Sequence, residues 1–301
     1  MKTDVDVSII IVNYNTLEIT KHCIDSIFEH TSEVDFEVIV VDNDSCDGSK
    51  EILSADNRIV YIQSGGNLGF GRANNLGYAK ATGKYLFLLN SDTLLLNNAV
   101  KLFYDIAEND SSEVGCWGTM LIDKDGNQVV SYGKFLSIWY DLYLNWIKLP
   151  LSILIHKPVS VNLYNYPVSK QGFVDYITGA DIFMRKSVAY KYGLFDANFF
   201  LYFEETDMER RYAVHGIKRR ICTEPKIIHL EGGSQEKGKV NLNMQLIRFQ
   251  SKMLFFRKWN NSFSFHFYII ALSLVRIPFL VFHRYPLSYK KNYLKILWNI
   301  K

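Results

Sequence analysis

Val7-Ser8-Ile9-Ile10-Ile11-Val12-Asn13-Tyr14-Asn15 opens the chain with a β-rich run that stops abruptly at polar residues. Continuous rather than alternating apolar character marks a strand covered on both faces, as in a parallel sheet. The pattern returns at Phe36 to Val41, Ile59 to Gln63 and Tyr85 to Leu89. Helical stretches lie between, at Leu17 to His30 and at Ser49 to Ala55, with Ser49 a candidate N-cap. The order βαβαβαβ predicts a doubly wound α/β sheet. Ligands of such sheets bind beyond the C-terminal strand ends. That rule singles out Asn13-Tyr14-Asn15, Asp42-Asn43-Asp44 and Asn90-Ser91-Asp92.

From Val129 to Pro167 the pattern loosens into an aromatic, weakly charged stretch that includes Trp139, Tyr140, Tyr143, Trp146 and Leu149 to Ile155, and reads as an insertion. Order returns as strands within Phe173 to Met184. A helix follows at Lys186 to Tyr192 with Gly193 as its stop, then another from about Glu204 to His215 closed by Gly216. After Gly232-Gly233 the chain becomes helical and basic.

A chain of 301 residues with 48% hydrophobic content can bury an ample core. The net charge of +3 hides an asymmetry: residues 237–301 hold twelve Lys or Arg and no Asp or Glu, whereas residues 1–236 hold all 31 acidic residues. A wholly basic tail suits an anionic surface. Within it, Phe267 to Phe282 is a sixteen-residue apolar run broken by Arg276 and Pro278. That is short of the roughly 20 residues a crossing needs, which favours helices lying in the membrane interface; a core helix pair is the alternative. Cys23, Cys46, Cys116 and Cys222 form no disulfide or zinc spacing, which fits reduced thiols in a cytosol. The short apolar run behind Asp4 and Asp6 reads as a strand, not a signal peptide.

Asp92, ending a strand, can hold a divalent cation that in turn binds a diphosphate, and oxygen ligands suit Mg²⁺ or Mn²⁺. Alternatively it caps a helix beginning around Leu94. Tyr14 offers an aromatic face to a base, and Asp42 a carboxylate to a base or ribose; both are also ordinary turn residues. The Gly65 to Gly77 segment is glycine-rich but lacks the third small residue of a dinucleotide fingerprint, so it reads as a tight loop bringing Arg72 near phosphate, with an ordinary surface arginine the alternative. Phe199 to Asp207 sets three carboxylates after an aromatic run. They either complement a helix dipole or supply a general base. His229, ending Ile227-Ile228, suits a metal or phosphate ligand, or is a plain core histidine.

Taken in order, these blocks resemble a known family: Val7 to Asn15, Val40-Val41-Asp42-Asn43-x-Ser45, the Asn67 to Gly77 loop, Leu88 to Asp92, Thr178-Gly179-Ala180, Gly193-x-Phe195-Asp196, Phe203 to Asp207 with Arg211, and His229. The family is the inverting family 2 glycosyltransferases of GT-A fold, rhamnosyltransferase-like members in particular. The resemblance covers roughly residues 5–235. It implies a catalytic domain over 1–236, with an insertion at about 129–167, and a membrane-associating basic tail over 237–301.

It also implies a site. Tyr14, Asn15, Asp42, Asn67, Arg72, Asn90, Ser91 and Gly179 would contact the nucleotide-sugar donor. Asp92 would hold the divalent metal, with His229 completing its coordination. Glu205 would be the base, with Glu204 the other candidate. Two positions depart from the family pattern: Asn90 stands where the metal motif often has Asp, and Glu205 where the base is usually Asp. The expected partners are a nucleotide-sugar donor, a glycan or lipid-linked acceptor and an anionic membrane surface, with no nucleic acid. The expected place is the cytoplasm, peripheral on the inner face of the cell membrane. A sugar-phosphate nucleotidyltransferase and a non-catalytic membrane adaptor are the competing classes.

Overall fold

The computed structural model describes residues 5–148, 164–166, 172–230 and 241–298. Leu149 to Ile155 and the Gly232-Gly233 turn lie outside the described residues. Two compact units emerge. The first gathers the described residues within Met1–Lys134, Tyr164–Phe200 and Glu204–Gly238, and the second those within Phe135–Leu163, Leu201–Phe203 and Lys239–Lys301.

The first unit is built on β1 (Val7–Asn13), β2 (Phe36–Asp42), β3 (Ile59–Gln63) and β4 (Tyr85–Asn90), with α1 (Leu17–His30), α2 (Ser49–Leu53) and α3 (Phe70–Tyr78) between them. After β4 come β5 (Thr93–Leu95), α4 (Ala99–Asn109), β6 (Val114–Thr119) and β7 (Tyr132–Gly133). Further on lie β8 (Phe173–Val174), β9 (Tyr176–Ile177), β10 (Asp181–Arg185), α6 (Lys186–Tyr192), α7 (Glu204–Val214), β11 (Lys218–Cys222) and β12 (Ile227–His229). The eight-stranded sheet runs β3-β2-β1-β4-β10-β6-β11-β8. Its first four strands are parallel, and β10 runs antiparallel between β4 and β6.

Consecutive residues of the continuous apolar strands point into two different cores. Ile9, Ile11, Val38, Val40, Phe87 and Leu89 belong to one cluster, while Ile10, Ile39, Val41, Leu86 and Leu88 belong to the other. Each face is therefore covered, and each fully buried Ile or Leu contributes about 1.5–3 kcal/mol relative to exposure. That burial fixes the register, and the register aligns the polar strand ends. Asn13 sits opposite Asp42, Asp42 opposite Gln63, Val12 opposite Asn90, and Leu89 opposite Asp181.

Three local expectations are corrected. Ser49 is the first residue of α2 rather than its cap, because Gly48, at φ 85°, makes the left-handed entry. Arg72 lies in the first turn of α3, not in a loop, because Gly69 already ends the loop at φ 81°. No helix begins near Leu94, where the chain continues as β5; α4 starts at Ala99.

The second unit contains α5 (Ile138–Tyr143) followed by a π-helical turn (Leu144–Lys148), then α8 (Leu242–Trp259), α9 (Ser262–Phe282) and α10 (Leu287–Trp298). Helix α9 starts five residues before the apolar run, because Asn261 caps it by accepting from the Ser264 N–H at 2.8 Å. At 21 residues it is about 31 Å long.

Candidate active site

The first strand end is locked from below. Asn13 is fully buried; its Oδ1 accepts from Thr16 Oγ1 at 3.0 Å and Thr20 Oγ1 at 2.7 Å, and its Nδ2 donates to Ser45 Oγ at 3.0 Å. Asn15 takes a left-handed φ of 53°, donates its N–H to Ser45 Oγ at 2.9 Å and accepts the Cys46 N–H at 2.8 Å. Between these anchors Tyr14 remains half-exposed. Asp42 is fully buried: Oδ1 accepts the Ser45 N–H at 2.9 Å and Oδ2 the Tyr61 hydroxyl at 3.1 Å. Burial and the Asp42 charge both raise the Tyr61 phenol, so it stays a donor. Asp42 thus braces the Tyr14 loop from inside.

Asn67 is held in the same manner. Asn43 Nδ2 donates to its Oδ1 at 3.0 Å, and that oxygen also accepts the Gly69 N–H at 3.0 Å. Gly69 is required twice over: its φ is positive, and a Cβ there would lie 2.0 Å from the Phe200 carbonyl oxygen. That close approach lets Phe70 donate its N–H to Phe200 at 3.0 Å, binding the Asn67 loop to the segment that leads into the acid pair. Arg72 is exposed and its Nε donates to the Ala197 carbonyl at 2.6 Å.

At the fourth strand end, Thr93 Oγ1 donates back to the Asn90 carbonyl at 2.7 Å, closing the Asn90-Ser91-Asp92 turn, and Ser91 Oγ lies 3.4 Å from Thr16 Oγ1. β12 then pairs antiparallel with β5, setting His229 opposite Thr93, and Leu230 donates its N–H to the Asp92 carbonyl at 2.9 Å. The result is a side-chain pair from distant parts of the chain: His229 Nε2 is 3.2 Å from Asp92 Oδ1, both partly exposed. Among the described residues no group of three or more His, Cys, Asp or Glu gathers as a metal site. Two donors, one carboxylate and one imidazole, can still fit a cation that draws its remaining ligands from water and phosphate oxygens.

Glu204 and Glu205 begin α7, after Tyr202 and Phe203 turn the chain at φ 70° and 68°. Two adjacent non-glycine residues in the left-handed region cost on the order of 1–3 kcal/mol each, which marks a constrained entry. Glu204 is buried and Glu205 half-buried. Nearly two helical turns further, Arg211 donates to the carbonyls of Tyr192, Gly193 and Leu194, tying α7 to the Gly193-x-Phe195-Asp196 block.

Two acids escaped the sequence reading. Glu209, four residues after Glu205, is fully buried; its Oε2 accepts the Ile177 N–H at 2.7 Å. Asp181 is equally buried and accepts the Thr119 N–H at 2.6 Å. Burial raises both carboxyls well above the ordinary range. For Glu209, Arg219 and the Ile177 N–H oppose that rise, while Glu205 and Asp181 add to it. Neither carried a signal in the sequence: Asp181 shares its strand face with Phe183 and Arg185, and Glu209 lies in a helix rich in charged residues. Gly179 stands two residues after Ile177, and a Cβ on it would lie 3.4 Å from the Phe70 ring.

A GT-A-like α/β fold carrying this strand-edge site defines the class. The sequence matches the profile described as "Glycosyl transferase family 2" over residues 8–162, more than half the chain, and the protein belongs to that family. Among similar proteins is the "Low-salt glycan biosynthesis hexosyltransferase Agl10" of Haloferax volcanii, 25% identical over 281 residues, or 91% of this chain and 80% of that protein. Streptococcus pneumoniae "Glycosyltransferase GlyG" is 29% identical over 36% of this chain and 37% of its own. An "Uncharacterized glycosyltransferase" of Rickettsia bellii is 34% identical over 42% of this chain, which spans only 19% of that relative's length. Among solved structures, the mannosyltransferase PcManGT from Pyrobaculum calidifontis in complex with GDP-Man and Mn²⁺ shares the fold. Its TM-score is 0.58 at 13% identity, covering all of this chain and 89% of that one. S. aureus TarS gives 0.55 at 13% identity over 97% of this chain and 48% of its own.

Proposed function

We propose that the protein transfers a hexose or deoxyhexose, rhamnose among them, from a nucleoside-diphosphate sugar to a polysaccharide or lipid-linked glycan, with inversion. The observation that carries this reading is the Asp92–His229 pair, 3.2 Å apart at the C-terminal edge of the sheet. Tyr14 would stack on the base, while Asn15, Asp42 and Asn67 hold the loops around base and ribose. Arg72, Asn90, Ser91 and Gly179 would line the path of the diphosphate and sugar.

Asp92 and His229 would hold a divalent ion, Mg²⁺ or Mn²⁺, whose charge stabilises the departing diphosphate. With Asn90 in place of a second acid, the donor's own phosphates would have to complete the ligand set, so ion and donor would bind together. Glu205 accepts the proton of the acceptor hydroxyl as its oxygen attacks the anomeric carbon. The new C–O bond forms on the face opposite the breaking one, and the nucleoside diphosphate leaves. Glu204, more deeply buried, is the alternative base. Residues 1–236 would form the catalytic part and 237–301 a membrane-associating part, at the cytoplasmic face of an anionic membrane.

The test is Mn²⁺ binding followed by electron paramagnetic resonance, with and without nucleoside diphosphates. Binding that needs the nucleotide and vanishes in Asp92→Asn supports the assignment. Equal binding by both proteins would sink it.

A further inference from the structure

Helix α9 is apolar on both sides, and only one side is used within its unit. Phe265, Tyr268, Ile269, Leu272, Ser273 and Leu280 are buried. Outward, Phe263, Phe267, Ile270, Leu274 and Val281 recur at helical spacing along one stripe, with Phe263 83% exposed and Leu274 and Val281 63%. Surface helices of water-soluble domains show polar residues there. The stripe continues onto α5 and the π-helical turn. Trp139, largely exposed, packs 5.8 Å from the Phe267 ring, and half-exposed Trp146 donates its indole N–H to the Ala271 carbonyl at 3.1 Å. With its only donor already satisfied, the Trp146 ring can enter an apolar medium at no hydrogen-bond cost.

Length and composition alone would let α9 cross a membrane. Its inner face argues otherwise. Tyr268 donates to Asp141 Oδ2 at 2.6 Å, and Lys252 pairs with Asp141 Oδ1 at 2.8 Å. A crossing would carry this ion pair into hydrocarbon, where charges are costly, whereas a helix lying flat wets only the outer stripe with lipid. The surrounding charge selects the surface. Residues 237–301 contain no acid, and Arg284, just past the end of α9, and Lys291 and Lys295, on α10, are exposed. Like charge of that density disfavours a second copy of the chain as occupant and favours anionic headgroups.

We infer that α9 docks lengthwise on an anionic phospholipid bilayer. Phe263, Phe267, Ile270, Leu274 and Val281 insert, and Trp139 and Trp146 sit at headgroup depth. This deepens the membrane part of the proposed function and leaves the sugar-transfer part independent.

The test uses the full chain with vesicles of phosphatidylcholine mixed with phosphatidylglycerol, and of phosphatidylcholine alone. Wild type should sediment with the mixed vesicles and Phe267→Asp/Leu274→Asp should bind at least about tenfold more weakly. Phe263→Ser, at a position that packs least, should weaken binding in the same direction. Undiminished binding by these variants overturns the inference, as does self-association of the wild type through the stripe without vesicle binding. Cysteines introduced at Ser262 and Arg284 in a Cys46→Ser background should both react with an impermeant maleimide added outside. Protection of one end means a crossing and also overturns it. Nucleotide-sugar hydrolysis in vesicle-free solution should be the same in wild type and stripe variants; its absence from both would count against sugar transfer, not against docking.

Discussion

His229 meets Asp92 across 3.2 Å because β12 returns antiparallel to β5, the three-residue strand that begins immediately after Asp92. The backbone bond from Leu230 to the Asp92 carbonyl, 2.9 Å, fixes that register from the other side. The pair is thus a product of strand pairing rather than of chance proximity. His229→Gln should keep the fold yet weaken nucleotide-dependent Mn²⁺ binding by about 10–100-fold, as loss of one of few ligands or its orienting partner does. Titration of Mn²⁺ against the folded variant checks this, and an unchanged affinity would remove His229 from the site.

Glu205→Gln should retain donor binding and lower kcat by about 10² to 10⁴, the range for loss of a general base. Steady-state rates beside donor affinity separate the two effects. A large loss in Glu204→Gln with near-normal Glu205→Gln would exchange their roles.

Gly69→Ala places a methyl group against the Phe200 carbonyl at a positive φ. The expected loss is roughly 1–3 kcal/mol of stability, with weaker donor binding because Asn67 is held by the same loop. Urea unfolding measures the first; a variant as stable as wild type would contradict the packing described.

Asp181 and Glu209 make stability fall as pH rises. Below about pH 4 both carboxyls are protonated in the folded and unfolded chains, since their unfolded values are about 3.9 and 4.3. Above that the unfolded chain releases protons that the native protein keeps, because burial raises both native carboxyls. Each group then costs up to about 1.4 kcal/mol per pH unit until it ionises in place. Asp181→Asn with Glu209→Gln should flatten the fall of unfolding free energy as pH rises above the unfolded carboxyl values of about 3.9 and 4.3. An equal slope in the double variant would refute neutral burial.

Much of this was legible beforehand, for a physical reason. The four parallel strands and α1 are set by local apolar runs, and Ile59–Gln63 and Leu17–His30 appear with the bounds expected. The polar strand ends followed directly, because register is dictated by burial on both faces. What escaped depends on non-local pairing. Nothing near Asp92 in sequence announces β12, and only the family resemblance set His229 beside it; Asp181 and Glu209 look like surface acids until β10 and α7 turn them inward. The exposed stripe of α9 was hidden for a related reason: an apolar residue reads the same whether it faces a core or a bilayer, and only packing tells them apart.

The most direct measurement is incubation with a panel of nucleoside-diphosphate sugars, Mn²⁺ and a lipid-linked or oligosaccharide acceptor, with the products weighed by mass spectrometry. The account predicts an acceptor heavier by one sugar residue and an equivalent of nucleoside diphosphate, both abolished in Asp92→Asn. Release of inorganic pyrophosphate from a sugar phosphate and nucleotide, or no turnover of any donor by a folded protein, would contradict it.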